Sequence, residues 1–434
     1  MKVSSYFIFI TSIIFCTLDA MSKQVESFLQ PPKMKEPSHL LASTSTSNVP
    51  FQNLHAQWIP INSSSDNTQP NLTKPSRSGH VSFTMNDNLF IFGGYAEVEE
   101  IGSNGDVTLK RFPINDLWER KKVDIRKNDN DSDKNDICDH IWELVEQQGD
   151  VPEERLVSAA SVLDGRAYLF GGWNPNQQQS DGNVILDTIH SYDSETKTWT
   201  KLECTIPDGP TSRHITIPLP SQTKALLHNH RCDGFVYIFD SKSQSFSKQK
   251  TTGTPPSSRG LHAACVLGNS HLLLFGGADK SGFMSNETFL LDLNTWIWSK
   301  LDLDDDDDNC ANIPNVRAAP CLVSFDESRA ILYGGAQAVE NVGLVPLDDV
   351  WALYIDKVTN KGKWELLNTG RELNDDEYPP GRNAATMDEI SVPFSFKEKY
   401  DRGNGEKWFL LYGGWAPFRK TWNDAFVLKV RNEQ

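Results

Sequence analysis

The stretch FLLYGGW at residues 409–415 decides the fold, because it is one of five versions of a single phrase. The others are LFIFGGY at 89–95, AYLFGGW at 167–173, LLLFGGA at 272–278 and AILYGGA at 330–336. In each, an apolar run with an aromatic residue ends in Gly-Gly. The first glycines are spaced 78, 105, 58 and 79 residues apart. A gap of 105 is about twice a repeat period of roughly 50 residues, so a degenerate unit is expected inside it. KALLHNHRCDGFVYIFD at 224–240 fits: two apolar strands flank a tight turn, and Gly-Gly is lost.

Other marks keep the same phase. An arginine is read as opening each unit: Arg77, Arg155, Arg213, Arg259, Arg317 and Arg382. Beyond Gly-Gly a variable loop leads to a second signature: NDLW at 115–118, DTIHSYD at 187–193, NETFLLD at 286–292, DDVWAL at 348–353 and NDAFVL at 423–428. Farther on come Trp142, Trp199, Trp298 and Trp364, with Phe246 in the degenerate unit. The pattern of arginine, aromatic-Gly-Gly, Asp-containing strand and tryptophan resembles the Kelch repeat over about residues 51–431.

The resemblance implies an all-β, six-bladed Kelch-type β-propeller. Each unit is then four antiparallel strands, a to d, which cannot bury both faces alone and so stack around an axis. Gly-Gly at the end of strand b permits positive φ and close approach by a neighbour. The tryptophans and pre-glycine aromatics fill space between blades. The last unit ends at strand c, whereas HAQWIPI at 55–61 is an orphan strand carrying Trp58. It is expected to complete the last blade and close the ring. Residues 21–50, rich in Ser, Thr, Pro and Lys, read as a disordered arm.

The first twenty residues have the layout of a secretory leader: Lys2, an apolar run from Tyr6 to Leu18, then Ala20. The run is shorter than the roughly 20 apolar residues of a membrane span. This points to the secretory route or the exterior; initiation at Met21 would instead make the chain cytoplasmic. Glycosylation triplets stand at Asn62, Asn71, Asn130 and Asn286. Cys265 and Cys321 sit in apolar runs, where small thiols are core residues.

A net charge of −16 argues against nucleic acid as a partner. Alternating strand direction places the d–a and b–c turns on one face. That face is expected to combine the six arginines with Tyr95, Trp173 and Trp415, residue types that dominate binding hot spots. The family resemblance implies that arginines at strand entry can hold acidic peptides; equally, they can bond carbonyls of the neighbouring blade. The expected function is an interaction scaffold for a protein or peptide partner, acidic by preference. The alternative is a secreted carbohydrate-binding or carbohydrate-modifying propeller, with Tyr95, Trp173 and Trp415 stacking on sugar rings. No cofactor or catalytic residue is expected. His228, His230 and Cys232 are the best local metal candidates, and the Asp304–Asp308 run lacks the glycine and glutamate of a calcium loop.

Overall fold

A computed structural model describes residues 53–61, 75–101, 107–122, 140–179, 182–303, 313–369, 378–391, 405–417 and 419–433. The leader, the arm, Asn62, Asn71, Asn130 and the Asp304–Asp308 run lie outside the described residues.

The chain is a six-bladed β-propeller. Blade 1 has strands Val81–Met85, Asn88–Ile101, Val107–Lys122 and His140–Leu144, from axis to rim. Blade 2 has Ala159–Leu163, Arg166–Gln179, Gly182–Asp193 and Thr198–Lys201. The degenerate unit is blade 3, with Ile215–Pro218, Lys224–His228, Phe235–Asp240 and Ser245–Lys250. Blade 4 has Ala263–Leu267, His271–Phe275, Thr288–Asp292 and Ile297–Lys300. Blade 5 has Cys321–Ser324, Arg329–Tyr333, Val350–Asp356 and Lys361–Leu366. Blade 6 takes Thr386–Ile390, Lys407–Tyr412 and Ala425–Asn432 from the C-terminal end and Leu54–Pro60 from the N-terminal end. That last strand pairs antiparallel with strand c from Leu54↔Asn432 to Pro60↔Phe426. The ring is thus closed by hydrogen bonds between chain ends.

Aromatic residues set the spacing between blades. The residue before each Gly-Gly meets the strand-d aromatic of the next blade: Phe92 with Trp199, Phe170 with Phe246, Phe275 with Trp364, Tyr333 with Trp58 and Tyr412 with Trp142. In blade 3 His228 takes that place against Trp298. Cys265 and Cys321 are buried between blades.

Around the axis, the backbone itself forms a closed belt. Val157 N donates to Gly79 O, Arg213 N to Val157 O, Leu261 N to Arg213 O, Ala319 N to Leu261 O, Ala384 N to Ala319 O, and Gly79 N to Ala384 O, at 2.7–3.1 Å. Five of these residues are not glycine yet hold φ of 49–59°. Such strain persists only where surrounding structure imposes it.

The glycine pairs are needed beside this belt. Gly94 has φ +101°, and a Cβ there would lie 2.9 Å from both His80 Cβ and Ser78 O. Gly94→Ala is expected to cost about 2 kcal/mol, from strain plus crowding. Thermal unfolding measures it, and an unchanged midpoint would contradict the steric account.

Candidate functional site

The belt corrects the reading of blade 3. In the other blades the belt residue follows the opening arginine by two: Gly79, Val157, Leu261, Ala319 and Ala384 follow Arg77, Arg155, Arg259, Arg317 and Arg382. Arg213 is itself a belt residue, so Thr211 holds the opening position. The backbone agrees: Gly172 N bonds Thr211 O, as Gly94 N bonds Arg155 O and Gly277 N bonds Arg317 O.

The other five arginines do not present their guanidinium groups to the face. They are 0–3% exposed. Each turns inward under its own Gly-Gly and donates Nη1 to the first glycine's carbonyl: Gly93, Gly171, Gly276, Gly334 and Gly413, at 2.9–3.1 Å. Four also pair with an acid of the second signature: Arg77 with Asp116, Arg259 with Glu287, Arg317 with Asp349 and Arg382 with Asp424. The bonded carbonyl belongs to the same blade, not to a neighbour. Burying a guanidinium demands such a partner set, because an unpaired charge out of water is costly.

Trp173 and Trp415 are also buried, at 6% and 8% exposure. The Arg213 guanidinium lies 5.6 Å from the Trp173 ring and that of Arg111 5.3 Å from Trp415. Neither tryptophan is the open platform that sugar stacking requires. Tyr95 is half-buried. Asn286 donates Nδ2 to Pro314 O at 3.0 Å, and Thr288 of its triplet is buried.

The face centres on a cavity of ≈ 180 Å³ at the axis. Its wall is the belt and the residues after it, including Arg213, His80, His214 and His262. Among the described residues, no carboxylate lines it. All three histidines are buried, and burial pushes His80 and His214 down to about 3 and His262 well below its ordinary value. They are therefore neutral at pH 7. His230 stands beside the cavity wall, held below its ordinary value by burial and by the charges of Arg231 and Lys280. Arg231 is anchored to the carbonyls of Gly209 and Pro210. On the blade 3 and blade 4 side Arg213, Arg231 and Lys280 thus outnumber Asp233 and Asp279 of the same two turns.

Walls of unequal height surround it. The b–c loops form hairpins in blade 1 (Gly94–Ile101 against Val107–Ile114), blade 2 (Trp173–Gln179 against Gly182–Ile185) and blade 5 (Ala336–Val339 against Gly343–Pro346). Glu97 braces the first against blade 6 by pairing with Arg111 and accepting from Thr421 N and Oγ1. Blade 3 has only the tight turn Asn229–Gly234, closed by Cys232 N to Asn229 O. Exposed apolar residues sit on these loops: Leu109, Ile185, Phe283 and Val342.

The proposed metal trio is not assembled. His228 Nδ1 bonds His262 Nε2 at 3.1 Å, while Cys232 Sγ contacts Leu227 O and Asn229. Among the described residues no group of three or more His, Cys, Asp or Glu side chains could hold a metal ion. Among the described residues, too, no helix is long and apolar enough to cross a membrane.

Known proteins share this architecture. A family described as "KLHDC2/KLHL20/DRC7 Kelch-repeats domain" matches residues 225–434, and the Kelch motif matches 158–204. The chain belongs to the Kelch-repeat family. Kelch domain-containing protein 1 of Mus musculus is 24% identical over 302 residues, covering 63% of this chain and 66% of that protein, just under two thirds of its length. Host cell factor of Drosophila melanogaster is 25% identical over 239 residues, covering 48% of this chain and 15% of that protein. The solved structure of YjhT superposes with a TM-score of 0.53 at 17% identity, covering 83% of this chain and 99% of that one, and speaks for the fold. Kelch propellers, as a class, bind other proteins.

Proposed function

We propose that this Kelch propeller binds an acidic segment of a protein partner, laid across the low wall at blade 3 and onto the axial cavity. The carrying observation is Arg213. It is the one arginine of the original six that lines the cavity, where its guanidinium also lies over the Trp173 ring. Arg231 and Lys280 extend the same sign of charge toward the side where the rim is lowest. On a chain of net charge −16 this local reversal steers an anionic segment and fixes its orientation. The apolar loop tips add contact area around a charged centre.

Selection of displayed random dodecapeptides tests this. The native chain is expected to enrich Asp- and Glu-rich sequences, with binding that weakens as salt rises. Arg213→Glu, which leaves the belt backbone bonds in place, should weaken the selected peptides at least roughly tenfold without lowering the melting midpoint. Enrichment of neutral or basic sequences, or undiminished binding by Arg213→Glu, would overturn the proposal.

A further inference from the structure

Comparing the buried arginines blade by blade isolates blade 2. In blades 1 and 5 the acid of the second signature is gripped from two sides. Asp116 accepts Arg77 Nη1 and Nη2 at 2.8 Å and Trp118 Nε1 at 2.7 Å. Asp349 accepts Arg317 Nη1 at 2.7 Å, Nη2 at 2.8 Å and Trp351 Nε1 at 2.6 Å. Blade 2 keeps the arginine but replaces the acid by Thr188 and the tryptophan two places on by His190.

The consequences fall on two atoms. Arg155 donates Nε to Glu153 O, and Nη1 to Gly171 O and to Thr188 Oγ1. Its Nη2 is buried and has no hydrogen-bond partner among the described residues. His190 is buried as well, and its Nδ1 likewise has none. These are the blade-2 counterparts of the donors that flank Asp116 and Asp349. Two polar groups so placed, 1% and 5% exposed, carry a desolvation cost that a bound partner would relieve.

We propose that blade 2 carries a carboxylate subsite, in which Arg155 Nη2 and His190 Nδ1 hold the group that Asp116 and Asp349 supply in blades 1 and 5. The chemistry follows from the precedent inside the same molecule: a guanidinium and a ring N–H converging on one carboxylate. Access follows too. The acids of blades 1, 4, 5 and 6 keep 24–37% of their side chains exposed, so a carboxylate in this position borders solvent where the arginine does not. Thr188 itself is half-buried. Around the pair lie Glu153, whose charge favours protonated Arg155, and Asp150 and Lys201 beside His190. Burial pushes Arg155 down to about 10 and His190 to about 3, outweighing the opposing charges of Glu153 and Asp150. The carboxylate can come from a free small acid or from an Asp or Glu side chain of a partner. Arg213 takes no part, so this subsite and the peptide site fail separately.

The test is thermal unfolding of the full chain in sodium acetate against sodium chloride at equal ionic strength and pH 7. Acetate should raise the native midpoint. Thr188→Asp, which installs the acid of the other blades, should melt higher in chloride and need roughly tenfold more acetate for the same response, if it responds at all. Thr188→Ala should keep the native response, as should Arg213→Glu. Should Thr188→Asp not fold, His190→Phe removes one donor and must weaken the response. A blocked tripeptide, acetyl-Gly-Glu-Gly-amide, with its Gln counterpart as control, separates the sources. Stabilisation by the Glu peptide but not by acetate assigns the carboxylate to a polypeptide; stabilisation by both shows that a free acid suffices. No stabilisation by either, or an equal acetate response in native and Thr188→Asp chains, overturns the proposal.

Discussion

Replacing Arg317 by alanine is expected to lower the folding stability by about 3–5 kcal/mol, the usual result of breaking a buried charge pair from one side. The guanidinium is fully buried and satisfies Asn315 O through Nε, Gly334 O through Nη1, and both oxygens of Asp349. Its removal leaves two carbonyls and a partly covered carboxylate with Trp351 as the remaining donor to that acid. Removing both charges should cost less than the sum of the single changes. Blade 3 is the natural instance: strand pairing aligns Thr211 with the arginines and Phe235 with the acids, so both halves of the pair are gone together. Urea unfolding of Arg317→Ala, Asp349→Leu and the double variant measures this. A loss under about 1 kcal/mol in Arg317→Ala would mean that the guanidinium is not holding the blade. A purely ligand-binding arginine would show the reverse, lost binding with stability unchanged.

That contrast explains what was legible in the chain and what was not. Gly-Gly is readable at a distance because positive φ and backbone contact exclude side chains, so the phrase survives in five blades. The partner of Trp58 could be foreseen, since a lone strand with an aromatic is the piece that blade 6 lacks. The direction of an arginine is a different matter. Its type suits a surface hot spot and a buried pair equally, and only the position across strand c decides. The deciding acids were in view, as Asp116, Glu287, Asp349 and Asp424 in the second signature, and an arginine with an acid in the same repeat speaks for burial. Blade 3 was misaligned by two because Arg213 follows a Pro-containing turn like its neighbours. The histidines offered the corrective: His80 and His262 come three residues after Arg77 and Arg259, and the same step back from His214 ends on Thr211. The belt, made of backbone hydrogen bonds, leaves almost no trace in residue type, which is why a cavity wall with Arg213 in it could not be read from composition. Thr188 and His190 gain meaning only from the strand register, which shows the atoms they replace in the other blades.

Acid should unfold this propeller early. His80, His214, His228 and His262 are buried around the axis, and burial together with Arg77, Arg231 and Arg259 pushes the first three down to about 3 and the fourth well below its ordinary value. Three of them tie blades together: His80 Nε2 bonds Thr386 Oγ1 at 3.0 Å, between blades 1 and 6, and His228 Nδ1 bonds His262 Nε2, between blades 3 and 4. Because His80, His214 and His228 take up protons in the unfolded chain near pH 6.5 but in the folded chain only near pH 3, and His262 shifts in the same direction, the stability they allow is complete above pH 6.5 and is lost as pH falls through that window. From pH 7 to 5 each of His80, His214 and His228 should remove up to roughly 2 kcal/mol, a large share of the stability of an ordinary domain, about 5–15 kcal/mol. Asp388 works in the opposite sense. Burial pushes it up to about 6, and its Oδ2 has no hydrogen-bond partner among the described residues. It therefore destabilises the fold when ionised above pH 6, and Asp388→Asn should raise stability at pH 7 but much less at pH 5. Urea midpoints at pH 7, 6 and 5 read the balance. His214→Gln should flatten the native slope by about 1.4 kcal/mol per pH unit, one proton's worth. A native chain that loses less than about 2 kcal/mol between pH 7 and 5 would mean that the axial histidines are not held neutral by the fold.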